Sequence, residues 1–330
     1  MLTTHLDRST ARAAVALANR APSVHNSQPW RWRIGPSSIH LFADPARALP
    51  ATDPEGRGLL ISCGAALHHL RVALRATGSA GRIHRLPDPA HPQHLAAVEL
   101  SPAPPTAEDL ALAQAIEHRR SDRRVFSTWP VPDEFTADLA RAAADEGATL
   151  VVLDPARQWE VARLVERAAV EQALTPGLAQ EVALWSGRAR GSADGVPAAN
   201  VPGDATAAVP VRHFAGREMA QNELGRGESD GTLLAVLATD GDGTVDRLRA
   251  GEALSAVLLA ATAIGLATDP ISQPLEVAAT RARLAADCLP SGRAPQVLLR
   301  LGWAPVSAEP VPATGRRPVD ETIDAFDASW

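Results

Sequence analysis

Two periods of hydrophobic and polar residues alternate along this chain, and the places where one yields to the other outline its elements. Ala11, Ala14, Val15 and Ala18 recur at helical spacing behind Asp7, an apt N-cap, so Asp7–Asn19 is predicted helical. Trp30, Trp32 and Ile34 alternate with Arg31 and Arg33. Gly35-Pro36-Ser37-Ser38 then turns the chain into Ile39–Phe42, which predicts a hairpin. Leu59, Cys63, Leu67, Leu70 and Leu74 form one face of a helix over Leu59–Thr77 that Gly78 stops, and short strands follow around Ile83 and Val98. Ser-Pro-Ala-Pro-Pro-Thr at Ser101–Thr106 reads as a linker between two halves.

Beyond that linker, helices are predicted over Glu108–His118, Phe135–Glu146 and Trp159–Leu174, with an extended run at Thr149–Leu153. After Trp185 the pattern dissolves into a Gly/Ala/Pro/Ser-rich stretch at 186–212 and a polar one at 218–231. Irregular segments of that length inside a compact domain read as lids or disorder. Leu233–Ala238 reads as a buried strand, Val245–Ile264 as a long helix and Val297–Leu301 as a further strand. Gly-Leu-Ala-Thr-Asp-Pro at Gly265–Pro270 reads as a helix C-cap and turn. An internal echo accompanies this order: Gly64–Gly78 and Gly251–Gly265 have equal length, with Ala66/Ala253, Leu67/Leu254 and Ala73/Ala260 in register, as a duplicated fold predicts.

Composition narrows the chemistry mainly through what is missing. The chain has no Lys and no Tyr, which excludes a Schiff-base or P-loop lysine and a Tyr/Lys proton relay. Its 330 residues, 45% hydrophobic and 21% charged, are ordinary for a folded water-soluble protein. The net charge of −6 argues against nucleic acid as a partner. No apolar run approaches the ~20 residues of a membrane span. Two cysteines, Cys63 and Cys288, each within an apolar helical pattern, point away from disulfides and toward the cytoplasm. His68 and His69 are neighbours on a helix and point about 100° apart, so they do not chelate as a pair, and no metal site is expected. No nucleophile elbow supports a hydrolase.

Two stretches carry the candidate chemistry. Ala-Pro-Ser-Val-His-Asn-Ser-Gln-Pro-Trp at Ala21–Trp30 is a rigid polar loop at a helix-to-strand junction. Taken alone it also fits a Ser/Asn-rich turn that satisfies its own hydrogen bonds. His-Arg-Arg-Ser-Asp-Arg-Arg-Val-Phe at His118–Phe126 follows a helix end and concentrates guanidinium groups. Arg-Arg-Ser-x-Arg at Arg119–Arg123, together with Pro-Ser-x-x-Asn-x-Gln-Pro-Trp at Pro22–Trp30, resembles the flavin-binding signature of the nitroreductase superfamily. The order is reversed relative to ordinary members, as in the Acg branch, where two nitroreductase-like halves are fused in one polypeptide. Ser62–His68, Asp194–Pro197, Gln273–Glu276 and Gly315–Pro318 resemble that branch too, so the likeness spans nearly the whole chain.

The resemblance implies an α+β, nitroreductase-like fold. It has two tandem halves, 1–102 and 103–330, packed as an intramolecular pseudo-dimer, with a lid insertion at about 185–230 in the second. It implies FMN as cofactor. Arg119, Arg120 and Arg316 would take the phosphate, because Arg supplies planar bidentate donors to a group with nearly two negative charges. Ser121 would bond the phosphate or ribityl region, and Arg123 would stand near the pyrimidine edge of the ring to stabilise the reduced anion. Ser23 and Asn26 would reach the ring, with Pro22 and Val24 completing that wall. Pro270, Ile271, Ser272 and Gln273 would form the other wall, with a backbone N–H toward N5. His25 faces either the cavity or the backbone of its own loop. No catalytic residue is singled out.

Two functions fit this reading: an FMN-dependent oxidoreductase that moves electrons from NAD(P)H to an electron-poor small organic acceptor, or a non-catalytic protein that sequesters FMN behind its lid. One flavin per chain is expected, because each half carries only one of the two motifs. The chain is expected as a monomeric pseudo-dimer, with further self-association left open.

Overall fold

The computed structural model describes residues 7–203, 209–210, 212–221 and 230–325. In chain order its elements are α1 (Arg8–Ala18), β1 (Trp30–Ile34), β2 (Ser38–Ala43), α2 (Arg57–Ala76), β3 (Ser79–Arg85), β4 (His94–Pro102), α3 (Ala107–His118) and α4 (Asp133–Asp145). Then follow β5 (Thr149–Val152), α5 (Pro155–Ala173), α6 (Leu178–Leu184), β6 (Ser186–Arg188), β7 (Val196–Pro197), β8 (Leu233–Thr239), α7 (Thr244–Ala263) and β9 (Ala267–Ile271). The chain closes with α8 (Gln273–Glu276), α9 (Ala278–Cys288), β10 (Ala294–Gly302), α10 (Val319–Thr322) and β11 (Ile323–Asp324). Local chemistry sets several boundaries. The Asp7 carboxylate accepts from the Thr10 N–H at the start of α1, and Thr106 with Asp109 forms a capping box on α3.

Two sheets carry the architecture. The first has the order β11-β1-β2-β4-β3 and the second β5-β8-β10-β9. The series β1, β2, β4, β3 and β5, β8, β10, β9 are both antiparallel throughout. α2 links β2 to β3 as α7 links β8 to β9. The two sheets therefore share one topology. Where the first has a three-residue turn after β1, the second has residues 153–232 between β5 and β8, so the long insertion sits at a hairpin tip of the repeat.

α2 and α7 cross at the echoed glycines. A Cβ on Gly64 would lie 2.0 Å from the Leu248 carbonyl oxygen, and one on Gly251 would lie 2.0 Å from that of Ile61. The contact is reciprocal, each glycine meeting the carbonyl three residues before the other, as in an isologous interface. Ala11, Val15, Trp30, Trp32, Leu41, Leu67 and Leu74 fill the core between the first sheet, α1 and α2. In the second sheet Ala235, Leu237 and Leu299 face α4 and α7, while Leu234, Val236 and Leu298 face α5 and α9. This is the period-two alternation of a strand buried on both sides.

Three expectations change. Ala267–Ile271 is strand β9 rather than a helix cap and turn. Pro270 is tolerated there because β9 lies at the sheet edge, and Asp269 because it is paired with buried Arg300 at 3.4 Å. Ser101 and Pro102 belong to β4, which shortens the linker to 103–106. The stretch after Trp185 contains β6, β7 and a 3₁₀ turn at Ala198–Asn200, and the parts of the lid expectation at 204–208, 211 and 222–229 lie outside the described residues. β11, which the sequence analysis missed, returns the C-terminal arm to pair in parallel with β1, Trp32 opposite Ile323.

Candidate functional site

The loop after α1 is held in a conformation that few side chains adopt. His25, Asn26 and Gln28 all have positive φ, at 53°, 55° and 51°, and such non-glycine backbone persists only where its surroundings over-determine it. Here they do. The Gln28 N–H donates to Ser23 Oγ (3.0 Å), the Val24 N–H to Ser62 Oγ on α2 (3.3 Å), and the Arg317 N–H to Gln28 Oε1 (2.9 Å). Gln28 Nε2 donates to the Ala193 carbonyl at 2.8 Å, and Asn26 Nδ2 to the carbonyls of Gly195 (3.1 Å) and Gly315 (3.2 Å). The Asn26 amide nitrogen thus ties the insertion and the C-terminal arm together instead of standing free for a ring, while its buried Oδ1 has no partner.

Opposite the loop stands a group of four guanidiniums. Arg20 leaves α1, Arg119 and Arg120 leave α3, and Arg316 is brought in by the C-terminal arm. Among the described residues all four donate only to backbone carbonyls. Arg119 Nη2 reaches Arg20 O (3.3 Å), Arg316 Nη2 reaches Arg20 O (3.0 Å), Arg20 Nη2 reaches Glu117 O (3.3 Å), and Arg120 Nη1 reaches Glu117 O (2.7 Å). Among the described residues none of the four lies within ion-pair distance of a carboxylate. Asp122 is spoken for by Arg124, at 2.7 Å. Buried Arg119 Nε and Nη1, Arg316 Nε and Arg20 Nε have no hydrogen-bond partner among the described residues. Desolvation, aided by the neighbouring guanidiniums, pushes Arg119 down to about 10 and Arg316 down to about 9. Positive charge gathered out of water without an acid is costly, so the arrangement fits an anion.

The third wall is the end of β9 and the start of α8. The Asp122 N–H donates to Thr268 O (2.8 Å) and Thr268 Oγ1 to Arg120 O (3.1 Å), which pins the basic segment along β9. The cover comes from the insertion. Phe214 meets the His25 ring edge-on, centroids 5.6 Å apart, and carries the Arg123 guanidinium on its face at 5.1 Å. Arg123 also donates to Asn200 O (3.3 Å), and Arg212 pairs with Glu276. Burial and the charges of Arg212 and Arg123 hold the His25 imidazole well below its ordinary pKa, so it is neutral.

All thirteen residues expected at the site line this one cavity, which holds about 1680 Å³ of unfilled space including its mouth. They are Pro22, Ser23, Val24, Asn26, Arg119, Arg120, Ser121, Arg123, Pro270, Ile271, Ser272, Gln273 and Arg316. His25 lines it too, and bonds the Thr52 hydroxyl (3.3 Å) rather than its own loop's backbone. Arg20, Arg212 and Phe214 escaped the sequence analysis. Arg20 stands two residues before Pro22, a signal that was there to use, whereas nothing local marks the other two. His68 and His69, expected to diverge, both bring Nδ1 to the Ser255 hydroxyl, at 2.8 and 2.7 Å, because α7 supplies one oxygen between the two rings. Among the described residues no group of three or more His, Cys, Asp or Glu is arranged to hold a metal. No helix there is long and apolar enough to cross a membrane.

Paired sheets of one topology, crossed on their long helices, with a cationic cavity walled by both, define a nitroreductase fold. A solved structure from Anabaena variabilis, provisionally described as a nitroreductase, superposes over 92% of this chain and 90% of its own with a TM-score of 0.52 at 11% identity. No protein-family model matches. Two Mycobacterium tuberculosis proteins of strain H37Rv match nearly end to end. Rv3131, provisionally named an NAD(P)H nitroreductase, is 44% identical over 98% of this chain and 94% of its own length. Acg, named likewise, is 38% identical over 94% of each. The chain belongs to the nitroreductase family, alongside Rv3131 and Acg.

Proposed function

We propose that the protein is an FMN-dependent oxidoreductase that passes electrons from NAD(P)H to an electron-poor small organic acceptor. The observation that carries this reading is the meeting, on one cavity, of four acid-free guanidiniums with the strained Ser23–Gln28 loop. Arg119 and Arg316, with unpartnered buried nitrogens, fit a phosphate; Ser121 lines the cavity beside them. Ser23, Val24 and the β9–α8 junction at Pro270–Gln273 would enclose a planar ring, and Arg123 would keep a positive charge beside it. A flavin held by these residues would supply the two-electron chemistry between a reduced nicotinamide and the acceptor. The names carried by Rv3131 and Acg support the nicotinamide donor. His25, neutral and facing the cavity, holds a ring nitrogen ready for a hydrogen bond to the second substrate.

In the same reading, residues 1–102 and 103–330 are two fused halves. The shared strand order and the reciprocal Gly64/Gly251 contact support this division. The insertion acts as a lid, with Asn200, Arg212 and Phe214 on the cavity side. That cover also favours a second reading, in which the protein sequesters FMN without turnover.

The visible spectrum of the purified protein, its flavin stoichiometry after acid release, and NAD(P)H oxidation with a nitroaromatic or quinone test both. Turnover at several per second excludes storage. A tightly held flavin that neither nucleotide reduces excludes the oxidoreductase, and absence of FMN binding ends both.

A further inference from the structure

Arg212 has no role in the flavin reading, yet the insertion places it on the cavity with His25 and Phe214. Its side chain is 9% exposed, and its Nη2 donates to Glu276 Oε2. Glu276 is held in turn: Oε2 also accepts from Gln172 Nε2 (2.6 Å) and Oε1 from the Ser272 hydroxyl (2.7 Å), while Gln273 Nε2 donates to Gln172 Oε1 (2.9 Å). This network clamps the Arg212 guanidinium to Ser272–Glu276, which continues the wall expected to carry a backbone N–H toward flavin N5. The clamp uses one terminal nitrogen. The other, Nη1, is buried and has no hydrogen-bond partner among the described residues. A buried donor on a permanent cation is costly unless a ligand supplies the acceptor.

The sign of the charge selects that ligand. A reduced nicotinamide becomes a cation as it gives up hydride, and a guanidinium beside it opposes the change. A nitro group or quinone gathers negative charge on oxygen as it takes hydride, and the same guanidinium favours it. The His25 ring feels this field: the charges of Arg212 and Arg123, both positive, help to keep it neutral.

We propose that Arg212 is a catalytic residue for reduction of the acceptor, its Nη1 donating to the acceptor oxygen on which negative charge collects, so that the insertion completes the active site when it closes. The proposal rests on the flavin reading. With a quinone as acceptor, the electrons come from NAD(P)H by way of the flavin. Hydride passes to the quinone, the quinol anion so formed is paired with Arg212, and a proton from water gives the quinol.

Anaerobic stopped flow on FMN-loaded protein, reduced with dithionite and mixed with menadione, tests this without requiring NAD(P)H to reach the flavin. Arg212→Gln should reoxidise about 100-fold more slowly than wild type. Glu276→Gln breaks the same ion pair but leaves the guanidinium, and should stay within about threefold of wild type. Reduction by NAD(P)H should not slow in Arg212→Gln. Equal slowing in the two variants would make Arg212 a latch that acts through Glu276, and equal slowing of both half-reactions would make it a group that tunes the flavin. Either result overturns the proposal, as does an Arg212→Gln reoxidation rate near that of wild type. Binding to the oxidised FMN-loaded protein gives a second readout, free of turnover. Lawsone, a hydroxynaphthoquinone that is an anion at neutral pH, should lose about tenfold in affinity in Arg212→Gln while neutral menadione loses less than about threefold; equal losses overturn the role of the charge. Protein that binds no FMN removes the flavin reading, whereas protein that binds FMN and shows none of these differences removes only the role of Arg212.

Discussion

Replacing Arg119 by Met removes the charge from the most enclosed guanidinium of the cluster and keeps an apolar stem of similar length. Its depression from 12.5 to about 10 follows first from desolvation and then from Arg120 and Arg20. At about 1.36 kcal/mol per unit, the folded protein without an anion carries this charge at a cost on the order of 3 kcal/mol. A base whose folded pKa lies below its unfolded value destabilises the fold at every pH below both. The penalty fades only as pH climbs from about 10 toward 12.5, so at pH 7 it is complete. The substitution gives up one long charge-assisted hydrogen bond, Arg119 Nη2 to Arg20 O at 3.3 Å, worth about 1.5 kcal/mol at the low end for a charged donor. The flavin-free variant should therefore be more stable than flavin-free wild type by roughly 2 kcal/mol in urea unfolding at pH 7 in a phosphate-free buffer. Adding phosphate or FMN should stabilise wild type and leave the variant nearly unmoved. A variant that is less stable than wild type, or that phosphate still protects, would refute the claim that an uncompensated buried charge is kept here for an anion.

Three further outcomes follow from other parts of the fold. Gly64→Ala or Gly251→Ala sets a Cβ about 2 Å from a backbone carbonyl where α2 and α7 cross, so each should cost more than ~3 kcal/mol or abolish folding, whereas Ala at solvent-facing Gly292, with its positive φ, should cost only ~1 kcal/mol; equal effects in denaturant titrations would be inconsistent with a close crossing. Burial holds His68 down to about 3 and His69 well below its ordinary value, so the unfolded chain takes up protons from pH 6.5 downward while the folded one does not. Stability should fall by up to about 1.4 kcal/mol per pH unit per ring as pH drops toward 4, and His68→Gln should make that slope shallower. Glu181, on α6 of the insertion, accepts from the N–H groups of Ala51 (3.1 Å) and Thr52 (2.8 Å). Glu181→Gln should weaken that latch by ~1 kcal/mol and speed reduction of bound flavin by NAD(P)H several-fold in stopped flow; an unchanged rate removes the insertion as a gate.

Signals that act within a few residues were legible. The Asp7 cap, the Trp30–Phe42 hairpin and the extent of α2 are local, and the structure has each of them within a residue or two, although α2 is buried nearly all round rather than on the one face expected. The lining residues of the Pro22 loop and of Arg119–Arg123 were legible through two short motifs, because a strained polar loop and an arginine pair must be written out locally even when they serve a distant partner, whereas Pro270–Gln273 and Arg316 rested on the family resemblance alone. What escaped depends on partners far along the chain. β11 is two residues long, too short to show a period, and is a strand only because β1 offers it an edge. Asp269-Pro270 reads as a turn until Arg300 is placed behind it. His68 and His69 converge only because Ser255 arrives from α7, and that arrival is fixed by the crossing at Gly64 and Gly251. The same crossing sets the distance between Ser62 on α2, which holds the Val24 N–H, and Leu254 on α7, both of which line the cavity. Two glycines that touch no ligand thus fix the width of the site, and side chains introduced there would act on the cavity before reaching any residue that lines it.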